Sequence, residues 1–344
     1  ERFDFNHPIY ILYSSGTTGK PKCIAHGAGN VLIEQNKEFM LHCDIKEKEK
    51  LFYFTTTGWM MWNWLVGGLA TGSSIFLYDG SPTYPKIDIL LKYCQDKKIN
   101  FFGVSAKYID HLKNENFNSK HLDLSSIKII TSTGSPLAEE SFKYVYKNIK
   151  QDVHLASIAG GTDMVGCLVL GNLYSNVYMG EIQGQSLAID VDVFSEDGKS
   201  TKDGEKGELV VKQPFPSMPV KFWGDDTGEK YHNAYFTKFK NIWHHGDFIE
   251  RTSNNGFIMR GRSDATLNPG GVRIGTSEIY QQVEGIEYIT EGLVVGQDYN
   301  DDVRIILFVT TKDNQELDEE KIKSIKLKIR KNCSPKHVPS LVIK

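Results

Sequence analysis

The stretch Tyr13-Ser14-Ser15-Gly16-Thr17-Thr18-Gly19-Lys20-Pro21-Lys22 is built for chemistry more than for packing. Gly16 and Gly19 let the backbone approach an anion, and successive N–H groups form an anion-binding nest. Ser14, Ser15, Thr17 and Thr18 add hydroxyl donors and Lys20 adds charge, so the stretch suits phosphate. The kinase-type P-loop needs four residues between its glycine and its Gly-Lys pair. Here two separate Gly16 from Gly19, and Pro21 stands where Ser or Thr should follow the lysine, so that reading fails.

Further segments combine turn formers with chemically capable side chains: Thr133-Gly134-Ser135-Pro136, Gly160-Gly161-Thr162-Asp163, Trp243-His244-His245-Gly246-Asp247, Gly261-Arg262-Ser263-Asp264, and Gly271-Val272-Arg273 with Glu278. Singly, each has a bland reading. A Gly-Asp pair is by default a turn, lone arginines are mostly solvated surface charges, and His244-His245 has no third metal ligand nearby.

The elements that must hold these segments follow from patterning. Short runs rich in β-branched and aromatic residues predict strands at Ile9–Tyr13, Leu51–Phe54, Ile75–Tyr78, Phe101–Val104, Ile127–Ile130 and Val153–Leu155. Helical stretches lie between them, such as Ile87–Lys97 and Leu137–Lys147. Strand and helix alternating in this way predict an α/β fold with a mostly parallel sheet and ligands beyond its carboxyl ends. From about 177 helical periodicity fades, and short alternating runs such as Leu187–Phe194 and Glu208–Lys212 predict an antiparallel β unit. After Asp264 come strands near 292–296 and 303–310 and a basic amphipathic helix near 318–331, a small α+β unit. The expected division is 1–176, 177–263 and 264–344.

The chain has 344 residues, 40% hydrophobic and 24% charged, with a net charge of −3, so no basic field or aromatic-interleaved stripe points to nucleic acid. No apolar run reaches the ~20 residues of a membrane span, and no signal peptide opens the chain. Five scattered cysteines without a C-x-x-C pair predict reduced thiols and a cytoplasmic location. Glu1-Arg2-Phe3 reads as the middle of something longer.

Taken in order, these segments resemble the adenylate-forming enzymes: acyl-CoA synthetases, luciferases and peptide-synthetase adenylation domains. The resemblance runs over essentially the whole chain and implies a large domain of two subdomains with a small mobile C-terminal one. It makes Ser14 to Lys20 the phosphate loop, with Lys20 catalytic. Gly134-Ser135-Pro136 becomes the adenine-flanking turn and Gly161-Thr162 a nucleotide contact. Thr162 would donate to the α-phosphate. Asp163, where the family more often has Glu, would hold Mg²⁺ through oxygen. Asp247 would accept from both ribose hydroxyls, Arg262 and Arg273 would contact ribose or phosphate, and Asp264 would be the hinge. Fixed donors, cations and a divalent ion are what a crowded, negative α-phosphate needs while pyrophosphate leaves.

Two stretches resemble acetoacetyl-CoA synthetases in particular. Thr57-Gly58-Trp59-Met60-Met61-Trp62-Asn63-Trp64 is similar to their acyl-pocket segment, although such a string can also be a buried aromatic helix start. Ser157-Ile158-Ala159-Gly160-Gly161-Thr162-Asp163 lacks the bulky Trp that closes the pocket of acetyl-CoA synthetases. Ala159 and Gly160 would leave room for a longer β-keto acid. The resemblance therefore implies ATP, Mg²⁺, acetoacetate and coenzyme A as cofactor and substrates. Another short-chain acyl-CoA synthetase and a non-catalytic nucleotide-binding remnant are the alternatives. The family's Lys past the His-Val-Pro-Ser segment has no counterpart between Leu341 and Lys344, so the chain as it stands is expected to adenylate poorly.

Overall fold

The computed structural model describes residues 1–14, 21–267, 269, 274–299 and 302–344. The apolar runs predicted as parallel strands form one five-stranded sheet, with one exception. Strands β3 (Lys50–Tyr53), β4 (Ser74–Phe76), β5 (Phe101–Ser105), β6 (Ile129–Thr133) and β7 (His154–Ser157) lie in the order β4-β3-β5-β6-β7, and every pair is parallel. Helices α3 (Ile89–Lys97), α4 (Ala106–Asn114) and α5 (Glu139–Tyr144) supply crossovers. Leu90, Leu91 and Cys94 of α3, Ile109 and Leu112 of α4 and Phe142 of α5 join Phe52, Phe102 and Ile130 of the sheet in one core. The other face is closed by α1 (Ala28–Lys37), continued by a π-helical turn Glu38–His42, and by α2 (Met60–Gly67), with Phe39, Trp64 and Leu65 packed on Leu51 and Phe101.

The exception is the first strand. β1 (Pro8–Ser14) does not join the parallel sheet. It pairs antiparallel with β2 (Lys22–Gly27), Ser14 opposite Lys22, and β13 (Lys221–Phe222) completes a separate sheet. A short apolar run states its period but not its partner, and here the return strand follows directly after the phosphate loop.

Beyond β7 the chain turns antiparallel, already at β8 and β9 and so earlier than the change expected near 177. β8 (Ala159–Gly161), β9 (Gly166–Leu170) and β10 (Gly184–Gln185) form one sheet; β11 (Val191–Phe194), β12 (Lys206–Val211), β14 (Trp243–Arg251) and β15 (Phe257–Arg262) form another. The run Leu187–Phe194 is strand only from Val191, because Ser186 and Ile189 close a turn in which Ala188 has φ +60°. Helix α6 (Glu229–Tyr235) has too few residues to show a period.

A separate apolar cluster belongs to the last stretch, with Leu267, Ile279, Val294, Leu307, Ile325 and Ile329 among its members. Here α7 (Thr276–Val283) and α8 (Glu319–Asn332) cover β16 (Ile289–Tyr299), β17 (Asp302–Thr311) and β18 (Leu341–Ile343). Asp318 caps α8, accepting from Lys321 N at 2.8 Å. Glu278 ties this unit to its neighbours. It accepts from Gly275 N at 3.0 Å and from Lys206 Nζ of β12 at 2.6 Å, and lies 3.3 Å from His337 Nε2. Burial opposes its charge, but His337 and Lys206 outweigh burial and hold the carboxyl near 2. A depressed carboxyl stabilises the fold above its unfolded value and loses that contribution as pH falls through the folded one. Glu278→Gln should therefore cost up to about 3 kcal/mol at pH 7. The gap from the parent should close between pH 4.5 and 2, as read by urea unfolding across that range.

Candidate active site

Three strand ends of the parallel sheet lead into one cavity of about 290 Å³. Past β3 the chain reaches Trp59, Met60 and Met61; past β6, Gly134, Ser135 and Pro136; past β7, Ile158 to Thr162. The β-rich unit closes the cavity with Ile182, Asp247, Met259, Gly261 and Arg262. This is the crevice beyond carboxyl ends where α/β sheets bind ligands. Gly134 holds φ +90°, a left-handed turn that glycine adopts without strain, and stands against the Trp59 ring.

Ser14 ends β1 with its hydroxyl buried and, among the described residues, without a hydrogen-bond partner. The expected phosphate contacts Ser15, Gly16, Thr17, Thr18, Gly19 and Lys20, and Arg273, lie outside the described residues.

Asp247 owes its position to a bulge. His244 pairs with Val210 and Phe248 with Glu208, so β14 runs four residues against two of β12. Gly246 sits at the crest with φ +87°, and a Cβ there would lie 2.9 Å from Arg262 Nη2. Bulges of this kind re-aim side chains beside sites. Asp247 is buried; its Oδ1 accepts from Arg262 Nη1 at 3.1 Å, and His245 Nε2 stands 3.6 Å from Oδ2. Trp243 Nε1 donates to His245 Nδ1 at 3.3 Å, which leaves the ring proton on Nε2, facing Asp247. Half-exposed Arg262 also reaches Asp264 at 3.5 Å within the short turn Ser263–Ala265, and Ser263 Oγ donates to buried Glu208. His244 lies 2.9 Å from Glu208, so the histidine pair works by holding carboxylates.

Thr162 lines the cavity and its carbonyl is held by His26 Nε2 at 2.9 Å. Burial drives the His26 pKa down to about 4, so near neutral pH the ring is uncharged and donates. Asp163 sits behind the wall. Its Oδ1 takes Lys22 Nζ and the Tyr235 hydroxyl, each at 2.5 Å. Burial raises its pKa, but the Lys22 charge leads a set of contacts that outweigh burial and hold the carboxyl below the ordinary range. Burial, then Asp163 itself, push the Tyr235 hydroxyl far up, so it stays a donor. A carboxylate is the kind of ligand Mg²⁺ takes beside substrate phosphates, so the residue type fits that ion; Asp163 Oδ1 is shared by an ammonium and a hydroxyl, and among the described residues no group of three His, Cys, Asp or Glu could hold a metal.

Lys22, His26, Tyr235 and His245 escaped sequence reasoning as site residues. Lys22 stood inside the loop string, past the proline, without an assigned partner. Tyr235 comes from the short α6, and no spacing could have joined it to Asp163.

Ala159 and Gly160 were expected to share the task of leaving room, and the structure separates them. Half-buried Ala159 lines the cavity and also packs against the core of the β-rich unit. Gly160 lines it too, but a Cβ there would lie 1.9 Å from the Gly166 carbonyl and 2.6 Å from Cys167 Cα. Backbone cannot yield so far, so the β8–β9 pairing itself requires this glycine. The aromatic segment is both pocket and core: Trp59 and Met60 are half-buried cavity wall, while Met61 and Trp64 are almost fully buried.

The profile of the AMP-binding enzyme family matches residues 1–218, and the chain belongs to that family. Among its relatives, the acetoacetyl-coenzyme A synthetase of Rhizobium meliloti (strain 1021) is 54% identical over 344 residues, covering 100% of this chain and 53% of the relative. The acetoacetyl-CoA synthetase of Gallus gallus is 46% identical, covering 100% and 52%. The solved acetoacetyl-CoA synthetase from Streptomyces lividans superposes with a TM-score of 0.93 at 41% identity, covering 100% of this chain and 53% of that one. The anthranilate CoA ligase AuaEII, solved with anthranoyl-AMP, shares the fold at 18% identity with a TM-score of 0.83, covering 98% and 64%. The chain spans about half the length of the relatives it matches. Among the described residues no helix is long and apolar enough to cross a membrane.

Proposed function

We propose that the protein joins acetoacetate to coenzyme A at the expense of ATP. An acyl-adenylate forms first with release of pyrophosphate; its acyl group then passes to the thiol, and AMP leaves. The observation that carries this reading is a single cavity with two kinds of wall. Trp59, Met60, Met61 and Ala159 give apolar wall for a short acyl chain. Ser135, Thr162, Asp247 and Arg262, with the turn Gly134–Pro136, give polar wall for a nucleotide. The likeness to acetoacetyl-CoA synthetases supports the choice of acid.

In this reading Asp247 and Arg262 hold the ribose, Thr162 donates to the α-phosphate and Asp163 holds Mg²⁺, with Lys20 and Arg273 as further phosphate contacts. Three units, 1–176, 177–263 and 264–344, are proposed to form a large domain in two parts and a small one that rotates about Asp264. The three-residue turn after β15 suits a hinge, since few dihedrals absorb the motion.

Pyrophosphate release by the full-length protein with acetate, acetoacetate and butyrate tests the reading. Acetoacetate should be preferred, and a preference for acetate would defeat it. Ala159→Trp should lower the acetoacetate-to-acetate ratio of kcat/KM at least ~10-fold, since size alone discriminates by about 1–3 kcal/mol per methylene. An unchanged ratio would remove Ala159 from the acyl pocket.

A further inference from the structure

A buried carboxyl behind the acyl pocket touches two of its walls at once. Glu38 begins the π-helical turn after α1 and is fully buried. Its Oε2 accepts from the indole N–H of Trp64 in α2 at 2.6 Å, and its Oε1 accepts from the backbone N–H of Cys167 in β9 at 2.6 Å. Helix α2 carries Met60 and Met61 into the cavity; β9 carries Gly166 and Cys167. A second contact from the same helix face repeats the pattern: Gln35 Nε2 reaches Asn63 O of α2 and Val165 O beside β9 at 3.4 and 3.5 Å. A π turn within a helix is commonly found at functional positions, and this one places Glu38 beside Glu34 and Lys37. Glu34 accepts from Lys37 Nζ at 2.7 Å, and Lys37 also donates to Ser186 Oγ at 2.7 Å.

We propose that Glu38 is a positioning residue for acyl-acid selection: a buried carboxyl that clamps α2 to β9 and so fixes the width of the acyl pocket. The inference rests on the proposed ligase reading of that cavity. A charged carboxylate without exposure would be costly. Burial first, and then the charge of Glu34, push the Glu38 carboxyl well above the ordinary range, while the Lys37 ammonium, which donates to Glu34, opposes that rise.

The test uses the full-length protein and steady-state pyrophosphate release with acetate, acetoacetate and butyrate. Glu38→Ala should raise KM for acetoacetate ~10-fold or more, flatten the preference among acids, and leave KM for ATP within ~2-fold. Glu38→Gln keeps an acceptor for Cys167 but sets an amide N–H where the Trp64 indole needs an acceptor, so it should fall between. Trp64→Phe should match Glu38→Gln, and the double variant should lose no more than either alone, the mark of one shared interaction. These milder variants keep the test meaningful if Glu38→Ala fails to fold. Equal loss of kcat/KM with every acid, or strictly additive losses, would overturn the clamp. Should the parent prefer another acid while the variants alter KM for that acid alone, the clamp stands and the acetoacetate reading falls.

Discussion

Replacing Asp247 with alanine in the full-length protein is expected to weaken AMP binding by ~10²-fold, with little change in how the enzyme ranks its acid substrates. The carboxylate is buried and set in the cavity wall by the Gly246 bulge, where the proposed reading places the ribose. Two ribose hydroxyls would donate to it, and a hydrogen bond to a charged group contributes about 1.5–3 kcal/mol. Losing both costs about 3 kcal/mol or more, which is ~150-fold in affinity. Arg262 is half-exposed, so its loss of a partner adds little to the stability change. His245 is buried and would face a void with its Nε2–H, a cost of about 1–3 kcal/mol. Titration calorimetry with AMP and urea unfolding separate the two effects. Asp247→Asn, which keeps one acceptor, should lie between. AMP affinity equal to the parent's would remove Asp247 from the ribose site.

The fold was legible where each strand carries its own signal. Phe101-Phe102-Gly103-Val104 and Ile129-Ile130 are short, apolar and bounded by turn formers, and they pair in parallel as that pattern demands. Ile9–Tyr13 has the same local signature but a different partner, because pairing is decided by the chain that follows, here the return strand Lys22–Gly27. The candidate site was legible where cavity-lining residues are contiguous: Gly161 beside Thr162, Gly134 beside Ser135. It was not legible where its geometry depends on contact across the chain. Lys22 meets Asp163 over 141 residues, His26 meets Thr162 over 136, and Glu38 meets Cys167 over 129. Nothing in composition or spacing encodes those meetings; they are made by the hairpin of β1 and β2 and by α1 running behind the β8–β9 turn. Gly160 shows a subtler gap. Its lack of a side chain invited a reading in terms of pocket volume, and the backbone of Gly166 turns out to need that space.

Asp163→Ala should lower the rate of pyrophosphate release by ~10²–10³-fold while leaving AMP affinity nearly intact, because a metal ligand serves the departing pyrophosphate and not the nucleoside. The geometry adds a second consequence. Lys22 Nζ and the Tyr235 hydroxyl both converge on Asp163 Oδ1, and Tyr235 stacks on Trp243 with ring centroids 3.6 Å apart. Removing the carboxylate strands a buried hydroxyl and a partly buried ammonium, so stability should fall as well, by about 1–3 kcal/mol. The sign of the pH dependence follows from the depressed folded pKa. The stabilisation is present above the ordinary carboxylate range and fades as pH drops through the folded value, so the stability gap between parent and Asp163→Ala should be widest near neutral pH and shrink in acid. Asp163→Glu distinguishes metal binding from scaffolding. One added methylene keeps the charge but disturbs the contacts with Lys22 and Tyr235, so if Asp163 serves the metal, activity should persist at an altered Mg²⁺ optimum even where stability drops. If Asp163→Glu were as inactive as Asp163→Ala, and neither variant changed its Mg²⁺ dependence, then Asp163 would be a structural anchor for Lys22 and Tyr235, and the ion would have to be held elsewhere.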